Sequence, residues 1–213
     1  MWISSTLIGQ NTKLVVKYFS NSKQIMEEYH VLNNDENIKQ GEYIRYYRIS
    51  DKDFTRNKEK YIFKRGFYYN NQLDSTWIYY HYNASYYWID REENYNKGRK
   101  VGIWKTYLEY GSVIKRLDYN LNKEIEPEFR IYTHYPAIAS EMQIQGVVKV
   151  RVVYNNDCTI GGISVVQSSA PNLDSDAINC VSNFEKLRLK YSLIKDCSTK
   201  RDSTYTINYK LNE

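Results

Sequence analysis

The stretch Tyr135-Pro136-Ala137-Ile138-Ala139-Ser140-Glu141-Met142-Gln143-Ile144-Gln145-Gly146-Val147-Val148-Lys149-Val150-Arg151-Val152-Val153 decides the fold of the second half of the chain. Tyr135 to Met142 reads as a short helix. Pro136 suits its first turn, where a missing N–H costs nothing, and Gln145-Gly146 reads as its C-terminal stop. The β-branched run Val147–Val153 alternates in part and is a strand. A helix that stops and passes within a few residues into a strand is the opening of a small α+β unit.

Reading outward, Asn155-Asn156-Asp157 makes a turn, and Ile160 to Val166 is the second strand of a hairpin, ending at Gln167-Ser168-Ser169. Asn172-Leu173-Asp174 then opens a second helix, with Leu173, Ala177, Val181 and Phe184 along one face beside Ile178. Leu187–Ile194 and Tyr205–Leu211 read as strands, and the first has the alternative of extending the helix. The expected unit is two helices packed on a three-stranded antiparallel sheet.

Before residue 134 the texture differs. All four Trp and 18 of the 23 Tyr lie there, and the second half is richer in Val, Ile and Ser. The shift predicts two domains, 1–121 and 134–213, joined by a polar linker at 122–133. Within the first, Tyr68-x8-Trp77-x2-Tyr80 matches Tyr95-x8-Trp104-x2-Tyr107 at a period of 27. A looser copy, Gly41 to Tyr46, has Tyr43 in the Trp position. Asn70-Asn71 and Lys97-Gly98 suit tight turns with positive φ, while the aromatic pairs suit strands. A single hairpin of this size cannot bury its own face, so the reading is a β-rich domain of stacked hairpins sharing a core. Trp77 and Trp104, at equivalent positions, are expected in that core. Insertions at 51–60 and 84–93 break the spacing, which makes Tyr86, Tyr87 and Trp88 the candidate exposed aromatics.

Several function classes are disfavoured at once. The net charge is +5 over 213 residues, and no basic block concentrates it. From residue 134 onward 9 Lys or Arg stand against 8 Asp or Glu, so +4 lies in the first part. Nucleic acid is therefore not an expected partner. Cys158, Cys180 and Cys197 are too far apart for a zinc knuckle. They read either as three free thiols or as one disulfide, Cys180 with Cys197, plus one thiol. The three histidines have no second ligand at useful spacing, so no metal and no cofactor is expected. No apolar run is long enough to cross a membrane, and Met1-Trp2-Ile3-Ser4-Ser5 lacks the basic and apolar regions of a signal peptide. Ser168 and Ser169 have no His partner, and Gly161-Gly162 is not a phosphate loop. The chain reads as no enzyme.

Taken in order, Tyr135, Pro136, Ala139, Ile144, Gly146, the Val strand, Asp157, Val165, Ser168, Ser169, Leu173, Asp174 and Ala177 resemble the signature of the C-terminal domain of the TonB family of periplasmic energy transducers. Thr206 to Leu211 resembles that family's last strand. Cys158 stands where the family has the turn glycine, which requires Asn156 or Asp157 to take positive φ. The N-terminal repeats resemble MORN repeats, more closely the YwqK-like variant, with Tyr95 to Tyr107 the best-formed unit. The first resemblance implies a non-enzymatic binding or adaptor protein of the bacterial periplasm or cell envelope. Its partner would be a protein or peptide, such as a segment of a TonB-dependent outer-membrane receptor. The docking edge would be Thr204, Tyr205, Thr206, Ile207, Asn208, Tyr209 and Lys210, through β-strand addition. The alternative is a structural module that self-associates into a homodimer through the same edge, with no role in energy transduction.

Overall fold

The structure, a computed structural model, describes residues 11–83, 86–193 and 201–211. The chain divides into two compact units after Ile125, each described by itself below.

The first unit is one antiparallel sheet built by consecutive strands. They are β1 (Thr12–Tyr18), β2 (Ile25–Leu32), β3 (Asp35–Tyr46), β4 (Ile62–Tyr69), β5 (Gln72–Tyr82), β6 (Tyr87–Asn96), β7 (Arg99–Lys100), β8 (Ile103–Tyr107), β9 (Val113–Asp118) and β10 (Lys123–Ile125). They lie in chain order, with the two-residue β7 attached to β6. The hairpins thus join edge to edge in a continuous ladder. Lys123–Ile125, inside the segment read as a linker, forms β10 and pairs with β9.

The turns explain this run of hairpins. Asn70 and Asn71 take φ of 47° and 64°, and Lys97 and Gly98 take 47° and 78°, left-handed values that reverse a twisted strand pair within two residues. These positions are 27 residues apart, and other features keep the same offset. Ser75 and Gly102 both have positive φ, 58° and 61°. The Trp77 indole N–H donates to the Phe67 carbonyl at 3.1 Å, and that of Trp104 donates to the Asn94 carbonyl at 3.0 Å. Tyr68 lies 5.1 Å from Trp77, and Tyr95 lies 5.2 Å from Trp104.

The two indoles differ in burial. Trp77 is fully buried with Tyr29, Val31 and Tyr43, because Gly66 on the neighbouring strand leaves room for it. A Cβ at Gly66 would lie 2.3 Å from the Trp77 ring. Glu93 occupies the corresponding place beside Trp104, which is only half-buried. On the opposite face, the segment read as an insertion at 51–60 supplies α1 (Asp51–Arg56), whose N-cap is the Ser50 hydroxyl accepting from the Asp53 N–H at 3.2 Å. Phe54 of α1 covers Tyr46 and Ile62 in a second small core.

The reading of 84–93 needs correction. From Tyr87 onward it is part of strand β6 rather than an insertion outside the hairpins: Trp88 pairs across from His81 and stacks on it at 4.3 Å, and Tyr87 pairs with Tyr82. Tyr87 also stacks on Tyr80 at 5.0 Å and donates to the Ile62 carbonyl at 3.2 Å. Both rings are half-buried by these cross-strand contacts, and only Tyr86 is exposed.

The second unit contains α2 (Ala137–Glu141), β11 (Gly146–Tyr154), β12 (Ile160–Ser168), α3 (Asp174–Tyr191) and β13 (Asp202–Tyr209). The sheet order is β12-β11-β13, all antiparallel. Val148, Val150 and Val152 of the central strand are fully buried with Leu173, Ala177 and Val181 of the α3 region. Three expectations are settled or changed here. The segment from Leu187 to Tyr191 takes the helical alternative and continues α3; Lys190 is exposed, while the half-buried Arg188 turns to the buried Glu185. Helix α2 stops at Glu141, with Gln143 in the left-handed region at φ 52°, ahead of Gly146. Gly146 is instead small because a Cβ there would meet Ser169 Oγ at 2.8 Å and Ala170 Cβ at 2.9 Å. At the β11–β12 turn the positive φ, 67°, belongs to Cys158 itself, not to Asn156 or Asp157.

Gly66→Ala is expected to destabilise the chain by about 1–3 kcal/mol through overpacking against Trp77. Gly162→Ala, whose Cβ would meet nothing within 4 Å, should change stability by less than about 0.5 kcal/mol. Urea unfolding followed by tryptophan fluorescence compares the two, and equal effects would contradict the close seating of Trp77.

Candidate functional site

Strand β13 lies at one edge of its sheet, paired only with β11 among the described residues. The hydrogen-bond phase of this pairing follows from one contact. The Tyr154 N–H donates to the Arg201 carbonyl at 3.0 Å, and these residues continue the register in which Val152 faces Ser203 and Val150 faces Tyr205. Antiparallel pairs alternate between bonded and non-bonded. Ser203, Tyr205, Ile207 and Tyr209 therefore spend their main-chain groups on β11. Thr204, Thr206 and Asn208 turn theirs to the open edge. The contact from Ser169 N–H to the Val147 carbonyl at 3.1 Å puts the same alternation on the β12 side of β11.

Side-chain direction follows the same period of two. Thr204, Thr206 and Asn208 are exposed, while Ile207 and Tyr209 are buried and Tyr205 is half-buried. Lys210 is exposed just beyond the strand. On the helix side, two hydroxyls tie β13 to α3. Tyr205 donates to Glu185 Oε1, and Tyr209 donates to Asp176 Oδ2 at 2.6 Å. Glu185 is fully buried and also accepts from Arg188 Nη2 at 2.8 Å and Nε at 3.0 Å. Burial first, and then the neighbouring carboxylate, raise both phenols far above their ordinary range. They remain neutral donors at any physiological pH. Phe184 meets the Tyr205 ring at 5.4 Å, and Tyr135 meets Tyr209 edge-on at 5.6 Å. The edge strand is thus fixed on its inner side and polar on its outer one.

The signature residues hold the frame behind this edge. The Tyr135 hydroxyl donates to the Ile144 carbonyl, and Pro136 sits at the N-cap position of α2. Ala139, Leu173 and Ala177 are buried, at 1% exposure or less. Gly146 passes beneath Ser169, whose Oγ accepts from the Val147 N–H at 2.8 Å. The Ser168 hydroxyl donates to Asp174, the first residue of α3, and accepts from the Ala170 N–H at 3.2 Å. None of these side chains is placed to act as a nucleophile beside a histidine. Among the described residues no group of His, Cys, Asp and Glu could hold a metal ion.

The cysteine reading is corrected. Cys180 is free and buried, and Cys158 is disulfide-bonded, so the pairing of Cys180 with Cys197 does not occur; Cys197 lies outside the described residues. Burial pushes the Cys180 thiol up to about 11, with Asp176 acting in the same direction. The buried acid behind β13 escaped the sequence reading, since Glu185 is one of several charged residues on α3 and only the i, i+3 spacing to Arg188 hinted at a pair.

Glu185→Ala is expected to cost about 3 kcal/mol, because it strands Arg188 and the Tyr205 hydroxyl without their acceptor; chemical denaturation reads this directly. Cys180 should resist iodoacetamide in the native protein at about pH 8.5, where an exposed thiol is half ionised, and react once the chain is unfolded. A raised thiol pKa favours the folded state, and that contribution is lost as pH climbs from the unfolded value of about 9 through the folded value of about 11. Native-state labelling of Cys180 at the rate of a free thiol would refute its burial.

No helix among the described residues is long and apolar enough to cross a membrane. No curated protein and no solved structure gives a significant match to the chain. Residues 132–211 match the family model of the Gram-negative bacterial TonB protein C-terminal domain, a non-catalytic family of binding and energy-transduction domains of the cell envelope. The matched segment spans α2 to β13, the elements that build the edge. Over residues 132–211 the chain is similar to the TonB C-terminal domain family.

Proposed function

We propose that this chain is a non-enzymatic envelope adaptor whose C-terminal domain docks a peptide segment of an outer-membrane receptor or another envelope partner by strand addition along β13. The observation that carries the proposal is the set of main-chain groups of Thr204, Thr206 and Asn208 turned to an open sheet edge. A strand laid there gains affinity from main-chain hydrogen bonds without rearranging the core. The polar outer side chains of these residues suit a partner that leaves again, since an apolar edge would aggregate. In this reading residues 134–213 form the docking domain. Residues 1–121 form a scaffold of MORN or YwqK-like repeats, supported by the features that recur at a 27-residue offset. The localisation that goes with it is periplasmic.

The test is an NMR titration of the labelled chain with short β-prone peptides from outer-membrane receptors, alongside light scattering for oligomeric state. Amide shifts concentrated at 204–208 in a monomer are the expected outcome. Thr206→Pro removes one outward N–H while leaving the β11–β13 ladder intact, a substitution that edge strands tolerate. It should abolish the response, and Ile207→Pro should instead unfold the domain. A stable dimer that protects residues 204–208 and ignores every peptide would assign this edge to self-association.

A further inference from the structure

Independently of the peptide edge, one face of the N-terminal sheet carries a line of charged residues that the sequence disperses. Lys17 faces Glu27, Glu27 faces Arg45, and Arg45 faces Lys64. Lys64 faces Tyr79, Tyr79 faces Arg91, Arg91 faces Thr106, and Thr106 faces Lys115. Directly opposed residues project from the same side of a sheet. The row therefore runs unbroken across eight strands, a span of about 34 Å at about 4.8 Å per strand. Five of its members are cations and one is a carboxylate.

The arrangement is electrostatically unfavourable as it stands. Arg45 and Lys64 are like charges directly across from each other, a pairing that destabilises a sheet. Neither makes an ion pair among the described residues. The Lys64 ammonium lies 5.4 Å from the Trp77 ring and 5.6 Å from that of Tyr43, so it is partly removed from water. Burial and then Arg45 lower its pKa. Glu27, the carboxylate of the row, is already engaged by the Tyr43 hydroxyl at 2.6 Å and by Lys17 at 3.4 Å. Local rules broken without internal compensation are where binding sites are found. Further along, Arg91, Lys105 and Lys115, with Glu92 and Glu93 among them, line a shallow groove of about 190 Å³ together with Trp104, Leu117 and Tyr119. The half-buried Trp104 and Tyr119 rings lie 4.5 Å apart there.

We propose that this row is a track for an acidic polysaccharide, whose carboxylated sugars lie across the strands and neutralise Arg45, Lys64 and Lys115, sharing Arg91 with Glu93, its partner at 3.0 Å. The cations at Lys64, Arg91 and Lys115 recur every second strand, about 10 Å, a spacing that meets every second carboxylate of a chain charged on each sugar. Nucleic acid carries its charges more densely, and Glu27 in the row with Glu93 beside it would repel a close run of phosphates. The Tyr79 ring is covered by Arg91 at 4.1 Å, while Trp104 and Tyr119 supply apolar ring surface with polar rims, suited to the flat side of a pyranose. Polyglutamate has no such ring to place there.

The experiment is calorimetry and tryptophan fluorescence on the full chain with an oligogalacturonate. Neutral maltohexaose, polyglutamate, single-stranded DNA and phosphatidylglycerol vesicles serve as comparisons. Oligogalacturonate should bind, shift the emission of Trp104 and weaken as salt is raised, while maltohexaose should not bind. Arg45→Gln combined with Lys64→Gln should weaken binding roughly tenfold, as for lost direct charge contacts. Arg65→Gln, next to Lys64 but on the opposite face, should leave it unchanged. Arg45→Gln alone should melt at or above the temperature of the parent, because it removes the repulsion, so that lost binding is not lost folding. The proposal is overturned by failure of oligogalacturonate to bind. Equal or tighter binding of polyglutamate, DNA or vesicles overturns it too, as does an equal loss in Arg65→Gln.

Discussion

The pleat of a β-sheet sends successive side chains to opposite faces, and both units of this chain depend on that alternation being held in register. In the C-terminal unit it divides β13 cleanly. Tyr205, Ile207 and Tyr209 go to the helix side and give their main-chain bonds to β11, while Thr204, Thr206 and Asn208 keep both side chain and main chain available. A slip of one residue would exchange the two sets. The Tyr205–Glu185 and Tyr209–Asp176 hydrogen bonds oppose such a slip, because each hydroxyl finds its acceptor on α3 in one register only.

In the N-terminal unit the same period of two sets an aromatic row and a basic one side by side on one face. Val15, Tyr29 and Tyr43 sit across from one another on three neighbouring strands. One residue-pair further along the strands, on the same face, lies the row of Lys17, Glu27, Arg45 and Lys64. Lysine stems bridge the two: Lys39 lies within 5.4 Å of the Tyr29, Tyr43 and Tyr68 rings, and Lys64 caps Tyr43 and Trp77. Their charged heads lie over the ring faces on this side of the open sheet.

What the sequence revealed and what it concealed follow from the range of the forces involved. Turn chemistry is local, so Asn70-Asn71 and Lys97-Gly98 were readable, as was the order of the C-terminal elements from Pro136 to Asp174. Leu187–Tyr191 stood between strand and helix extension because Leu187 and Leu189 alternate as in a strand, and the structure takes the helical alternative. Trp88 looked like part of an insertion because its partner His81 lies across a hairpin. The basic row was invisible for the same reason. It is assembled by seven cross-strand pairings, several of them displaced by bulges, and no local pattern encodes a register through bulges. The edge strand β13 was a candidate only through the family resemblance of Thr206 to Leu211.

Gly66 has one more consequence, and it concerns how such a sheet can change over time. The hairpin containing Trp77 and the one containing Trp104 look like two copies of a single unit, yet only the first has a glycine beneath its indole. That copy is locked, since any larger residue at 66 collides with the ring and any smaller one at 77 leaves a void. In the second copy the indole never sank into the sheet, so Glu93 and its neighbours are released from that constraint. Duplication followed by loss of one glycine would thus turn a core element into a surface free to acquire side chains for other purposes, and that is where Arg91, Trp104 and Lys115 now meet.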